Sequence, residues 1–466
     1  MGVERIQFVD SISATATVRL TLSQAPWTVL VNGTDASPPP LRRAVAQTLL
    51  TDGAIIPAAA YDNRTIRLHL QLKTSDTTVS ATQLQLLHRE LDRPTNILRW
   101  QPDPALPPVY FRTFRAPDYD PGGTDHGIKL FEFMVSIPAE PFALGLMETI
   151  TPVAISNDPA AGSNGRFMDI TAVKGDVETP LIIKVPGASV TGKQGLFAIR
   201  RRGTPSAMPF FLQTEAMTMG TDTATSANTS AHSGAGNNNV TCTFATNTTS
   251  VVRLSTTTFP ASPSVDVRGT YRVFGRFSSG TTSFSAAGIL EHGIRATRNA
   301  EVTWTQLIGG TYQAMIDLGL IQIPEGFDPV SNGPDGVALS VVGVPLKLYV
   351  RRISGSGNFV SDYLLFVPAD DKMSIVNWGV SSPSQFVFDG TSRAVYGLDG
   401  SGRVDDIAAA YFVGDPPMVS PTAVTNRLVY VNDVSPTNSV SDGVATTVTL
   451  SPFYFPRYLS VRPVAS

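Results

Sequence analysis

Apolar and polar residues alternate with a period of two along much of this chain, the signature of strands with one buried face. Near the start, Val18, Leu20 and Leu22 alternate, then Ile66, Leu68, Leu70 and Leu72, then Phe131, Phe133, Val135 and Ile137. One stretch breaks the rhythm. Over Ser80 to Arg93, Leu84, Leu87 and Leu91 fall at helical spacing, with Ser80 or Thr82 placed to cap the helix and Pro94 to stop it. One helix on a small antiparallel sheet is the economical packing for residues 1–145.

Beyond about Gly145 the pattern shortens into brief strands separated by Thr- and Ser-rich turns. Gly175 to Pro180 reads as a turn feeding the strand Leu181 to Val185, and residues 146–190 taken with 385–466 suit a second β-sandwich. Residues 191–384 then form an insertion, with strands expected at 269–277, 312–323, 346–353, 363–367 and 373–378. Three domains strictly in series remain the other arrangement. The polar run Thr221 to Ser250 has a disordered composition by itself, but it is flanked by Phe210-Phe211 and by the strand-like Val251 to Leu254. At the end, Val444, Thr446, Val448 and Leu450 alternate, and Tyr458 to Val461 reads as a closing strand after Pro456. The expected class is therefore mainly β: multi-domain β-sandwiches of galectin-like or jelly-roll type, with one α-helix on an N-terminal antiparallel sheet.

A chain of 466 residues exceeds one ordinary core, and a hydrophobic share of 42% suffices for several. Only 16% of residues are charged, below the usual quarter, so the surface takes its polarity from Ser, Thr, Asn and Gly. A formal charge of −3 leaves no basic footprint for nucleic acid. Arg200-Arg201-Arg202 could contact a phosphate or carboxylate, but three charges at a strand end read more readily as a solvated edge. With the single cysteine Cys242 no intrachain disulfide can form, so stability must come from packing or assembly. The N-terminus shows no secretory pattern, and no apolar run approaches a membrane span, so no membrane insertion is expected.

Enzymatic chemistry finds little footing. The histidines His69, His88, His126, His232 and His292 are scattered outside any zinc spacing, and no Walker, dinucleotide or nucleophile-elbow pattern occurs. No catalytic residue and no cofactor are expected. Asp399, Asp405 and Asp406 offer oxygen ligands at loop spacing for Ca²⁺, yet Arg403 stands where an EF-hand needs a ligand or glycine, which favours a solvated turn. For sugar binding the candidates are Trp304, Tyr312 and Trp378 with Asn377, since a pyranose stacks on an aromatic ring and bonds to a neighbouring amide. Alternation in a sandwich places at least half of such rings in the core instead.

The order of strands, a helix ending in Leu91-Asp92-Arg93, and the strand Val109-Tyr110-Phe111-Arg112-Thr113-Phe114-Arg115 resembles the N-terminal domain of siphophage distal tail and minor tail proteins. The Gly-Asp-x-x-Thr-Pro turn and the closing Pro-Arg-Tyr-Leu element resemble the same family, and the Gly-x-Tyr-x-Val strand at 269–273 is similar to carbohydrate-binding jelly rolls. The resemblance implies a virion protein made in the host cytoplasm, forming a homo-oligomeric, six-fold ring at the distal tail. Its implied partners are the tail tube, tip or hub, and tape-measure proteins, and a host cell-surface glycan. Arg112 and Arg115 are the expected interface residues. The other readings are a free carbohydrate-binding adhesion or receptor-binding module without a ring role, and a polysaccharide-degrading spike, for which no fixed-period repeat is visible.

Overall fold

The computed structural model describes residues 4–46, 55–115, 119–120, 130–156, 167–201, 210–214, 217–219, 223–227, 238–243, 251–256, 269–279, 284–294, 297–308, 314–323, 346–355, 358–369, 371–379, 383–405, 410–432 and 447–461. The chain is mainly β and divides into two compact units. The first takes Met1–Glu148, Val173–Thr179 and Tyr454–Ser466, and the second takes Thr149–Ala172 and Pro180–Phe453.

In the first unit one curled antiparallel sheet runs in the order Val18–Thr21, Arg5–Val9, Thr95–Gln101, Val109–Phe114, Leu130–Ala139, Arg64–Lys73, Trp27–Asp35. The middle joint is thin, since Leu130–Ala139 meets Val109–Phe114 only at Ala139 and Thr113. The halves therefore fold towards each other, and Ile6, Phe8, Leu98, Trp100 and Phe111 share one core with Ile66, Leu68, Leu70, Leu72, Phe133, Val135 and Ile137. Alternation sets this register: Phe133 lies opposite Leu70, Val135 opposite Leu68 and Ile137 opposite Ile66.

The helix spans Thr77–Leu91, starting before the expected Ser80. Its cap is Asp76, whose Oδ1 accepts from the Thr78 amide at 2.7 Å, satisfying one orphan donor of the first turn; neither Ser80 nor Thr82 does this. Leu84, Leu87 and Leu91 join the core, and Gln83 Oε1 accepts from the buried Trp27 indole at 3.0 Å. The closing strand shrinks to Arg457–Tyr458 and pairs with Ala143–Leu144, which draws the chain's last described residues into the first unit and not into the second sandwich. Of the expected strand beginning at Val444, residues 444–446 lie outside the described set, and the strand is Thr447–Tyr454.

The second unit holds four principal sheets. Two face each other across an aromatic core. One includes Thr447–Tyr454, Ile182–Pro186, Gln385–Asp389, Ala394–Leu398 and Val404–Asp405; the other is ordered Phe167–Ile170, Asn426–Asn432, Gln194–Arg200, Met373–Asn377, Tyr411–Gly414. Phe197 meets Tyr430 at 4.7 Å and Phe388 at 5.1 Å between ring centroids. The remaining pair comprises Thr223–Ala227, Asn238–Cys242, Phe359–Pro368, Gly269–Ser279 and Ala314–Ile323, and then Thr218–Met219, Val251–Thr256, Leu346–Gly355, Phe284–Ile294 and Thr297–Ile308. Phe274, Tyr363, Leu365 and Val367 from this pair pack in one cluster with Leu196, Ala198, Val429 and Val431.

Two of the three arginines of the run find partners in this packing, contrary to the solvated edge favoured from the sequence; Arg202 lies outside the described residues. Arg200 is buried and its Nη1 donates to the Tyr271 hydroxyl at 2.7 Å, while Arg201 grips the Asp371 carboxylate with two nitrogens. Each guanidinium finds an oxygen partner within the unit, which removes the need for water around it.

Candidate functional site

Arg112 and Arg115 both find partners inside the first unit. Arg112 points to Glu140, 3.9 Å away, and Arg115 donates from Nε to the Asp92 carbonyl at 2.9 Å while its guanidinium pairs with the Asp92 carboxylate at 3.1 Å. Arg115 keeps 58% of its side chain exposed, so a neighbouring chain can still reach it; Phe114 beside it is 38% exposed.

A second arginine group, missed in the sequence, lies behind them. Arg64 sits on the buried face of its strand, donating to the carbonyls of Pro141 at 2.7 Å and Leu459 at 3.1 Å with its guanidinium 5.2 Å from the Phe111 ring. Burial without a carboxylate brings its pKa down to about 10. Arg457 stacks 5.1 Å from Phe142, and burial lowers its pKa against the opposing pull of the Glu140 carboxylate. Alternation was the available signal, because Arg64 stands in phase with Ile66 and Leu68. Around it the Leu459 amide donates to Asp176 Oδ2 at 2.8 Å and the Thr179 hydroxyl donates to the Phe455 carbonyl at 2.8 Å. These bonds tie residues 173–179 and the closing strand into the unit that begins the chain.

The sugar-binding candidates separate. Trp378 is fully buried, its indole N–H donating to the Tyr430 hydroxyl at 3.1 Å and its ring edge-on to Phe197; a ring enclosed this way offers no face to a sugar, so Trp378 takes the core place that alternation favoured and drops out as a platform candidate. Asn377 uses its Oδ1 to accept from the Gly379 amide at 2.9 Å. Trp304 lies in the strand Thr297–Ile308 opposite Gly288, and its side chain lies outside the described residues, as does all of Tyr312.

Asp399 is committed to its own turn. One oxygen accepts from the Ser401 hydroxyl at 2.7 Å and from the Ser401 and Arg403 amides at 2.8 Å each, and these bonds, the Ser401 hydroxyl foremost, hold its carboxyl below the usual range. The Asp405 side chain and Asp406 lie outside the described residues. Among the described residues no group of three or more His, Cys, Asp or Glu is arranged to hold a metal, and no helix is long and apolar enough to cross a membrane.

The first unit's sheet ends on two unlike strands. At one end stands the four-residue Val18–Thr21, with Val18 41% exposed. At the other, Trp27–Asp35 leaves the ladder between Leu30 and Asp35, and the intervening bulge projects Val31 at 89% exposure. Gly33 turns the bulge at φ +93°, and the Thr34 hydroxyl accepts from the His69 amide at 3.1 Å. His69 places one ring nitrogen 2.9 Å from Glu132 and the other against the Asn32 carbonyl.

No family model matches the chain, and no curated protein matches it. Solved structures match weakly. The crystal structure of the SPP1 Dit protein, described as a paradigm of hub adsorption apparatus in phages infecting Gram-positive bacteria, aligns at 9% identity and a TM-score of 0.26, covering 78% of this chain and 98% of that one. The phage p2 baseplate in its activated conformation with Sr aligns at 9% identity and 0.24, covering 79% and 100%. Infectious bursal disease virus-derived T=1 particles align at 10% identity and 0.17, covering 67% and 79%. Scores this low carry no functional weight, which leaves the chain's own geometry as the ground for a reading.

Proposed function

We propose that this chain is a structural protein of a long-tailed phage tail, forming a homo-oligomeric ring at the distal end that joins the tail tube to the tip or hub. The observation that supports it is the use of both ends of the described chain in one unit: Arg5–Val9 lies in its sheet, and Arg457–Tyr458 pairs into the same sheet through Ala143–Leu144. Such a unit is a platform from which the long intervening chain can be elaborated without interrupting the platform's own core. Its sheet ends on two edges of different sequence and shape, as a head-to-tail contact requires, and such contacts close into rings when the rotation permits.

In this reading the ring has six copies, Arg112 and Arg115 face the neighbouring copy, and the tape-measure protein ends nearby. The second unit faces the host surface, where the jelly-roll-like insertion within 191–384 meets a glycan or docks a fibre. The chain works by geometry, catalyses no reaction, and enters the virion from the host cytoplasm. Class averages of the purified full chain at high concentration test the proposal. Rings of six with outward lobes are the expected result; particles without rotational symmetry, both alone and mixed with tail tube protein, would refute it.

A further inference from the structure

The bulge at the edge of the first unit's sheet carries an asparagine followed by a glycine. Leu30 lies opposite His69 and the next paired residue, Asp35, opposite Arg67, so residues 31–34 occupy the place opposite Leu68 and have no register of their own in the ladder. Asn32 and Gly33 are both exposed, and among the described residues no hydrogen bond engages the Asn32 side-chain amide. Gly33 stands at φ +93°, where a Cβ would come within 3.3 Å of Met134 Cε and 3.4 Å of His69 Nδ1. Glycine here both permits the turn and leaves its own peptide nitrogen open to close approach.

An asparagine amide before glycine is a latent electrophile. The Gly33 nitrogen, once deprotonated, can bond to the Asn32 side-chain carbon in a five-membered ring, and no side chain on residue 33 stands in the way. Deprotonation is the difficult step, because a peptide N–H is a very weak acid. The charge it leaves is shared by resonance with the carbonyl oxygen of the same peptide, which is that of Asn32. That oxygen lies 2.5 Å from His69 Nδ1. A carbonyl only accepts, so Nδ1 carries the proton and donates it. The ring is held from its other side, where Nε2 is 2.9 Å from Glu132 Oε1, and the Thr34 hydroxyl ties the bulge to the His69 amide at 3.1 Å. A fixed donor therefore points at the atom where negative charge develops, and its bond strengthens as that charge appears.

We propose that Asn32 is a site of self-modification, deamidated by attack of the Gly33 backbone nitrogen while His69 stabilises the peptide anion. The Gly33 N–H gives its proton to solvent hydroxide, the nitrogen bonds to Asn32 Cγ, the Cγ–Nδ2 bond breaks, and ammonia leaves with a proton taken from water. The succinimide then adds water at either carbonyl and opens to aspartate or isoaspartate. The sum is asparagine plus water giving acid plus ammonia. Either product sets a new carboxylate on the bulge, and isoaspartate adds one atom to the main chain of the element that blunts this sheet edge. The inference stands apart from the ring reading, since it requires only the folded first unit.

Full-length chain is incubated at mildly alkaline pH, native and in guanidinium chloride, then digested and mapped by mass, with isoaspartate located by electron-transfer fragmentation. Folding ordinarily slows this reaction. Here the native chain is expected to convert Asn32 faster than the unfolded chain, in which His69 is no longer beside it. The other two Asn–Gly pairs, 164–165 and 332–333, provide reference rates in the same digest. His69→Phe, which removes the donor, should slow native conversion at Asn32 about fivefold, the difference between bonding to a charged and to a neutral acceptor. His69→Gln, which keeps a donor, should recover part of that rate. Native conversion at or below the unfolded rate overturns the proposal without any variant, and an equal native rate in His69→Phe with unchanged circular dichroism overturns it as well.

Discussion

Glu90 gives the first unit a measurable dependence on one buried charge. Its carboxylate, 1% exposed at the end of the helix, is 3.0 Å from Arg19 Nε and accepts from Arg93 Nε at 2.9 Å and Nη2 at 3.0 Å. Asn96 Nδ2 donates to it at 3.1 Å and to the Glu90 carbonyl at 2.8 Å, and Arg19 also bonds to Asn96 Oδ1. Burial by itself raises the carboxyl's pKa, but the bonds from Arg93 and Asn96 and the two positive charges outweigh it, and the net shift is downward.

Glu90→Gln preserves shape and removes the charge. Breaking a buried pair by deleting one partner costs about 3–5 kcal/mol; here Arg19 and Arg93 remain 24% and 37% exposed and can regain water, so the lower end, about 3 kcal/mol, is the expected loss. That corresponds to roughly a hundredfold faster exchange of globally protected amides, on the basis of ~1.4 kcal/mol per factor of ten. Peptide-resolved hydrogen exchange at neutral pH, on peptides from Arg64–Lys73 and Leu130–Ala139, measures it.

The sign of the pH effect follows from the lowered pKa. The stabilisation is present above the unfolded value, about 4.3, and is lost as pH falls through the depressed folded value. The wild type therefore loses more stability than Glu90→Gln on acidification through that window. Protection in Glu90→Gln within threefold of the wild type at neutral pH, or parallel acid profiles for the two proteins, would show that the carboxylate does not hold this end of the helix.

Two further outcomes are expected. An added Cβ at Gly195 would stand 2.7 Å from a Tyr430 ring carbon and 3.0 Å from the Trp378 nitrogen, so Gly195→Ala should overpack the aromatic core and lower the second unit's stability by about 1–3 kcal/mol in urea unfolding followed by Trp378 fluorescence; an unchanged midpoint would contradict the packing. Deleting residues from Arg457 onward removes a strand and the Leu459 acceptor of buried Arg64, and should raise hydrogen exchange in Arg64–Lys73 while leaving Gln194–Arg200 protected; no change in the former would refute the clasp.

What the linear pattern determined was local. Strict alternation in Arg64–Lys73 and Leu130–Ala139, and three leucines at helical spacing, specify strands and a helix because each exposes one apolar face that must be buried. Alternation also left Trp378 undecided between core and surface, since one ring can lie on either face of a strand until the facing sheet is known. The tertiary structure decided that question by bringing Phe197, Phe386 and Tyr430 around it, residues as much as 181 positions distant in the case of Phe197. It likewise turned Arg200 from a supposed solvated edge into a buried contact with Tyr271 and gave Arg201 a half-buried carboxylate partner in Asp371, and drew Arg457–Tyr458 back to Ala143–Leu144. A residue's own neighbours set its conformation and face, but its environment depends on pairings between distant segments, and those are chosen only when the sheets close around a common core.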